Sequence, residues 1–190
     1  SPSELDVALD AYHDKEFETA RELLIPLAKS DDPTAQLYLG RLFFHGRGVE
    51  QNYDEAAKWI EQSAIGGNAS AQQFTGSLYY NGFGVKKSYS KARMWYQNSI
   101  SSGSRRGKTC LAWLYFKGLG VAANYGKAHQ LLVEATEEGD SSGTGLLGCF
   151  YEYGTVVKQD FVKAAELYKL AKDLGDIQSY YNLGLAYHAG

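Results

Sequence analysis

The side chains with chemical reach are few. Four histidines, His13, His45, His129 and His188, and two cysteines, Cys110 and Cys149, are spread over 190 residues. No histidine pair has the His-Glu-x-x-His spacing that turns two imidazoles to one helix face for a metal. His13 and His45 each close a first helix in adjacent units of the pattern described below, so they are expected near one another, but two lone imidazoles make a poor metal site. The cysteines lie 149 − 110 = 39 residues apart, three more than the repeat period. They therefore fall on different faces or heights of neighbouring helices and are expected to stay unbridged, since a disulfide needs Cα atoms closer than about 7 Å. Carboxylate pairs such as Glu137–Glu138 read as solvated helix ends. Catalysis needs a nucleophile, a base and an orienting group that converge, and no such set is visible. The chain reads as a non-enzyme without metal or cofactor.

The loop Gly46-Arg47-Gly48-Val49 is the other chemical candidate, because glycine-rich loops entering a helix after a strand can cradle phosphate. Here the same loop recurs 36 residues on as Gly82-Phe83-Gly84-Val85, then as Gly118-Leu119-Gly120-Val121, then as Gly154-Thr155-Val156-Val157. Each copy follows a helical pattern, which makes it a helix stop and connector. The register holds elsewhere. Phe43, Tyr79, Tyr115, Tyr151 and Tyr187 share one position, and Ala56, Ala92, Ala128 and Ala164 another. Trp59, Trp95, Leu131 and Leu167 share a third, and Gly67, Gly103, Gly139 and Gly175 a fourth. A fixed period of this length is the signature of a solenoid.

Each unit reads as two helices. In the first full repeat, Ala35, Leu39, Leu42 and Phe43 form one apolar face, which predicts a helix over Pro33–His45. Gly46 then stops it, because glycine readily takes the left-handed conformation at a helix end. A second helix is expected from about Tyr53 to Ile65, with Tyr53, Ala56, Ala57, Ile60 and Ala64 facing inward. Small residues such as Ala35, Gly40 and Ala56 let helices approach closely. Residues 1–32 form a shorter pair with a tight turn at His13-Asp14-Lys15, and Pro26 is expected to bend its second helix or shift its end. The chain stops at Gly190 after opening a fifth full repeat. The fold class is therefore all-α, an αα-hairpin solenoid wound as a right-handed superhelix of about eleven helices. Its domains are a helix pair at 1–32 and one continuous array at 33–190, divided 33–68, 69–104, 105–140, 141–176 and a partial 177–190.

The pattern Ala-x-x-x-Leu-Gly-x-x-Tyr-x-x-Gly-x-Gly-Val, followed by aromatic, Ala, aromatic, Ala and Gly, resembles the Sel-one-like repeat, a relative of the tetratricopeptide repeat. Residues 1–32 look more like a tetratricopeptide pair. Two departures, Ala112 for the usual glycine and Val156 for the second loop glycine, mark where local distortion is expected. The resemblance implies a protein-binding adaptor or scaffold, or an inhibitor of the immunity type, often bacterial and periplasmic or secreted. A hydrolase like the enzyme-like cysteine-rich relatives, or a peptide- or glycan-binding module, are the alternatives it leaves. The cysteine pair those relatives carry in each repeat is missing.

A net charge of −3 gives no electrostatic reason to expect nucleic acid or an anionic membrane, and no stretch approaches the roughly 20 apolar residues that span a bilayer. The start at Ser1-Pro2-Ser3 fits a leader removed or never included. A protein or peptide partner is expected on the concave face, lined by first helices. The residue after the core aromatic gives Tyr12, Phe44, Tyr80 and Phe116, with Glu152 and His188 at matching places. Arg41, His45, Asn81, Trp113, Lys117, Tyr153 and Tyr181 complete the candidate surface, aromatics and arginine being the residues that dominate binding hot spots. The aromatic row could equally pack between adjacent first helices. The last helix, about 177–188, is expected to be covered by further chain or another molecule, self-association included.

Overall fold

The computed structural model describes residues 2–175, and these form ten α-helices. They divide into two compact units that part between Ser102 and Gly103, near the junction of the second and third full repeats. The first unit holds α1 (Glu4–His13), α2 (Phe17–Lys29), α3 (Pro33–His45), α4 (Tyr53–Ile65), α5 (Ala69–Asn81) and α6 (Tyr89–Ser101). The second holds α7 (Arg105–Lys117), α8 (Tyr125–Glu137), α9 (Ser141–Tyr153) and α10 (Phe161–Asp173). Within each unit, every helix packs on its neighbour in sequence. The eleventh helix and the expected cover over 177–188 lie outside the described residues, and among the described ones no helix is long and apolar enough to cross a membrane.

The period reaches down to single hydrogen bonds. Asp32, Asn68, Ser104 and Asp140, 36 apart, each accept a backbone N–H at the start of a first helix. Asn52, Ser88, Asn124 and Asp160 do the same for the second helices. Such caps satisfy donors that have no partner inside the helix. Gly46, Gly82, Gly118 and Gly154 end the first helices in the left-handed conformation.

Small residues set the helix spacing. A Cβ on Gly40 would meet Ile60, one on Gly76 would fall on the ring of Tyr96, and one on Gly148 would lie 2.6 Å from a ring carbon of Tyr168. In the third repeat the facing residue is Leu132, smaller than the tyrosines and not branched at Cβ as Ile60 is, and Ala112 fits there in an unbroken helix. The distortion expected at Ala112 is thus absent. Val156 also keeps the backbone of its glycine counterparts, with φ 65° against 64° at Gly48 and 66° at Gly84. A β-branched residue is strained there, and its side chain stands 58% exposed.

Two expectations differ in detail. Pro26 does not shorten α2, which runs past it to Lys29; the proline is exposed in the last turn, and so is Glu22, the residue four before it whose carbonyl loses its usual partner. Tyr53, expected to face inward, is 36% exposed, because it lies in the first turn of α4 and stacks on Phe83 of the following loop at 4.9 Å.

Candidate functional site

In the first unit the ends of the first helices carry two aromatic groups. Tyr12 meets Tyr38 edge-on at 4.7 Å, His13 at 5.7 Å and Phe17 at 5.8 Å. The guanidinium of Arg41 lies 5.1 Å over Tyr38, a favourable cation–π distance. Phe44 centres the second group, within 5.0 to 5.6 Å of His45, Tyr53, Phe74 and Phe83. These come from α3, α4, α5 and the α5–α6 loop, so Phe44 fastens one repeat to the next. His45 is exposed; desolvation, then the charges of Arg47 and Arg41, hold its pKa below the ordinary imidazole value. Its ring contacts Phe44, whereas His13 contacts Tyr12 and Tyr38. Tyr80 packs edge-on against Tyr89 at 5.4 Å, and Asn81 turns back to donate to the Ser77 carbonyl at 2.9 Å.

In the second unit Trp113 is half-buried and stacks on Phe116 at 5.8 Å, with planes 29° apart. Lys117 Nζ lies 5.2 Å over Trp113 and 5.7 Å over Phe116. Phe116 also touches Tyr125 and Phe150, which places it between neighbouring helices. Tyr153 is half-buried at the end of α9. Tyr181 lies outside the described residues.

Cys110 and Cys149 are not bridged. Cys149 is fully buried beside the Tyr168 hydroxyl at 3.3 Å, and desolvation raises its thiol pKa, the opposite of what a nucleophile needs. Among the described residues no group of three or more His, Cys, Asp or Glu side chains could hold a metal.

Position 41 and its counterparts follow a rule. Ser77 meets the hydroxyl of Tyr96 at 3.3 Å, and Cys149 meets that of Tyr168. Where the second helix carries tyrosine, this position is small. Where it carries Ile60 or Leu132, the position is Arg41 or Trp113.

Sequence reasoning passed over Tyr38 and Phe74. Their signal was present: 38, 41 and 45 are spaced by three and four, one stripe of a helix. Arg47 and Phe83 lie in connections, where helical periodicity gives no guide.

The family model "Sel1 repeat" matches residues 33–68, 69–104, 111–140, 145–176 and 177–190. The chain belongs to the Sel1 repeat family. Proteins of Sel1 repeats generally mediate protein–protein interactions, and the fold is typically a non-enzymatic scaffold. The chain is similar to a Sel1 repeat protein from Oxalobacter formigenes, at TM-score 0.83 and 26% identity over 96% of this chain and 75% of that one. It is also similar to c5321, a protective antigen present in uropathogenic Escherichia coli strains displaying an SLR fold, at TM-score 0.78 and 29% identity over 91% of this chain and 38% of that one. Cysteine rich protein B of Helicobacter pylori, 20% identical with TM-score 0.54 over 70% of this chain and 95% of that one, shares the fold. No curated protein matches. The fold is the helical repeat solenoid of these neighbours.

Proposed function

We propose that this chain holds a partner protein, as an adaptor, a scaffold or an inhibitor of the immunity type, through side chains of its first helices. Trp113 carries the proposal. Its register position is filled by Arg41, Ser77 and Cys149 in the other repeats, so the fold has no general need of an aromatic there. The core of the third repeat is supplied by Leu111, Leu114 and Tyr115, at 4%, 0% and 7% exposure. Trp113 lies off that face, stacked on Phe116 and overlain by Lys117. A rigid aromatic beside a cation is the composition of a binding hot spot.

A partner captured from the source organism provides the ligand for the test. Trp113→Ala should weaken its affinity by about 2 kcal/mol, roughly thirtyfold, with the melting temperature little changed. Loss of a core aromatic would instead remove about 3–5 kcal/mol of stability. A large fall in melting temperature with unchanged affinity, corrected for unfolded protein, would make Trp113 a packing residue and remove the proposal's support.

A further inference from the structure

A recess of about 370 Å³ opens in the first unit, lined by Tyr12, His13, Lys15, Phe17 and Arg47. The lining is aromatic and cationic. The carboxylates of the same turn, Asp14, Glu16 and Glu18, are not part of it. Arg47 lies 5.4 Å over Phe17, and Arg41 lies over Tyr38, which packs on Tyr12 and His13. Among the described residues, Lys15, Arg41 and Arg47 form no ion pair and their side chains make no hydrogen bond. Their donors are unspent. His45 stands near the same charges: desolvation first, then Arg47 and Arg41, lowers its pKa.

A second observation is the backbone of Lys15. Its φ of 65° is left-handed. Around it the α1–α2 turn closes with Glu16 N–H donating to the Ala11 carbonyl at 2.9 Å. Glycine normally fills this position after a helix end. A lysine kept in a strained conformation at the mouth of a recess is a pointer to function. Cations near helix ends also offset the macrodipole. That accounts for charge at Lys15 and Arg47, but not for the aromatic recess between them, nor for Arg41 more than a turn before the end of α3.

We propose that this recess receives an acidic peptide segment of the partner protein, one carboxylate lying between Lys15 and Arg47 and a neighbouring apolar side chain resting on Tyr12 and Phe17. The inference rests on the protein-binding reading above and names the chemistry the partner must present. Carboxylate satisfies both cations by charge-assisted hydrogen bonds. An extended polyanion fits less well, since the chain carries a net charge of −3 and repels it beyond the recess.

The test is selection of a random dodecapeptide library on the full chain, with Lys15→Gly, Arg47→Glu and Trp113→Ala as parallel baits. The wild type should enrich peptides with aspartate or glutamate beside an aromatic or aliphatic residue. Synthesised, these peptides should bind Arg47→Glu about tenfold more weakly or worse. Lys15→Gly should bind them more weakly while melting at a higher temperature, a combination that a purely structural lysine cannot give. Enriched peptides without acidic excess, acidic peptides bound equally by both recess variants, or displacement of the peptide by an equal concentration of single-stranded oligonucleotide would each overturn the inference. Non-acidic peptides whose binding is lost in Trp113→Ala would overturn it while leaving the protein-binding reading standing. No enrichment on any bait would remove both.

Discussion

The clamp between successive repeats rests on a loop glycine, and its contribution can be worked out at Gly84. Gly84 sits at φ +66°, and a Cβ there would overlap the carbonyl oxygen of Tyr53, lie 2.5 Å from its carbonyl carbon and 2.9 Å from Ala57 Cβ. The α5–α6 loop thus rests on the main chain of α4. Gly48 stands in the same relation to Phe17, and Arg21 Nη1 donates to the Gly48 carbonyl at 2.8 Å. Gly67 offers the control, because its φ is +90° with nothing within 4 Å of the Cβ position. Gly67→Ala should meet only the left-handed penalty, about 1–2 kcal/mol. Gly84→Ala adds overpacking against backbone that cannot turn aside, about 1–3 kcal/mol, for a total of about 2–5 kcal/mol. Alanine also restricts the unfolded chain, an offset of about 0.4–1 kcal/mol common to both variants, so the difference survives it. Both positions lie in the first unit. Urea unfolding followed by circular dichroism, comparing midpoints of the same transition, gives the two losses. Equal losses for Gly84→Ala and Gly67→Ala would refute the close approach and with it the loop-on-helix clamp.

Two other perturbations follow from the same packing. Gly76→Ala should destabilise by about 1–3 kcal/mol through collision with Tyr96, and pairing it with Tyr96→Leu, the Ala112–Leu132 combination of the third repeat, should recover much of that loss; an additive double-mutant cycle would show that the two side chains do not share the space. His129, whose ring lies 5.9 Å from Phe150 and whose buried Nε2 has no hydrogen-bond partner, has its pKa lowered by desolvation. The unfolded chain then binds the proton more readily. The stability is present above about pH 6.5 and declines as pH falls through the lowered folded-state value. His129→Phe should flatten the loss between about pH 7 and 5.5 in urea melts, and an unchanged acid limb would clear His129 of any part in it.

The helices were legible because their ends are punctuated by residue type. Pro33–His45 and Tyr53–Ile65 coincide with the spans expected from apolar spacing and Gly46. Caps repeated every 36 residues leave little freedom for the boundaries. The candidate surface was less legible. Phe44 and Phe116 sit at a half-buried position, and a single register cannot say which neighbour a ring will meet. Phe83, which completes the Phe44 cluster, belongs to a connection. The recess escaped notice for the same reason: Lys15 and Arg47 are loop residues, and only the folded chain sets them beside Tyr12. The family match begins late in the third and fourth repeats, at 111 and 145. There Gly107 and Gly143 replace Ala35 and Ala71, and Thr109 donates to the buried Asp140 at 2.7 Å, so local polar bonding stands where the usual alanine packing would be.

The alternation at position 41 and its counterparts separates the repeats by how that position is packed. Tyrosine at 96 or 168 reaches across the gap above Gly76 or Gly148, and its hydroxyl ends at the next residue of the first helix. That residue must be small, and it is Ser77 or Cys149. Isoleucine or leucine at 60 or 132 stops short, and the freed space admits Arg41 or Trp113. The second-helix residue therefore divides the repeats into two kinds. Two spend this position on internal packing, and two present a large arginine or tryptophan from it. Arg41 lies over Tyr38 in the first unit and Trp113 stacks on Phe116 in the second. Exchanging Ile60 for tyrosine would press on Arg41 from beneath without touching the recess lining. The identity of a buried residue thereby sets the chemistry of the surface above it.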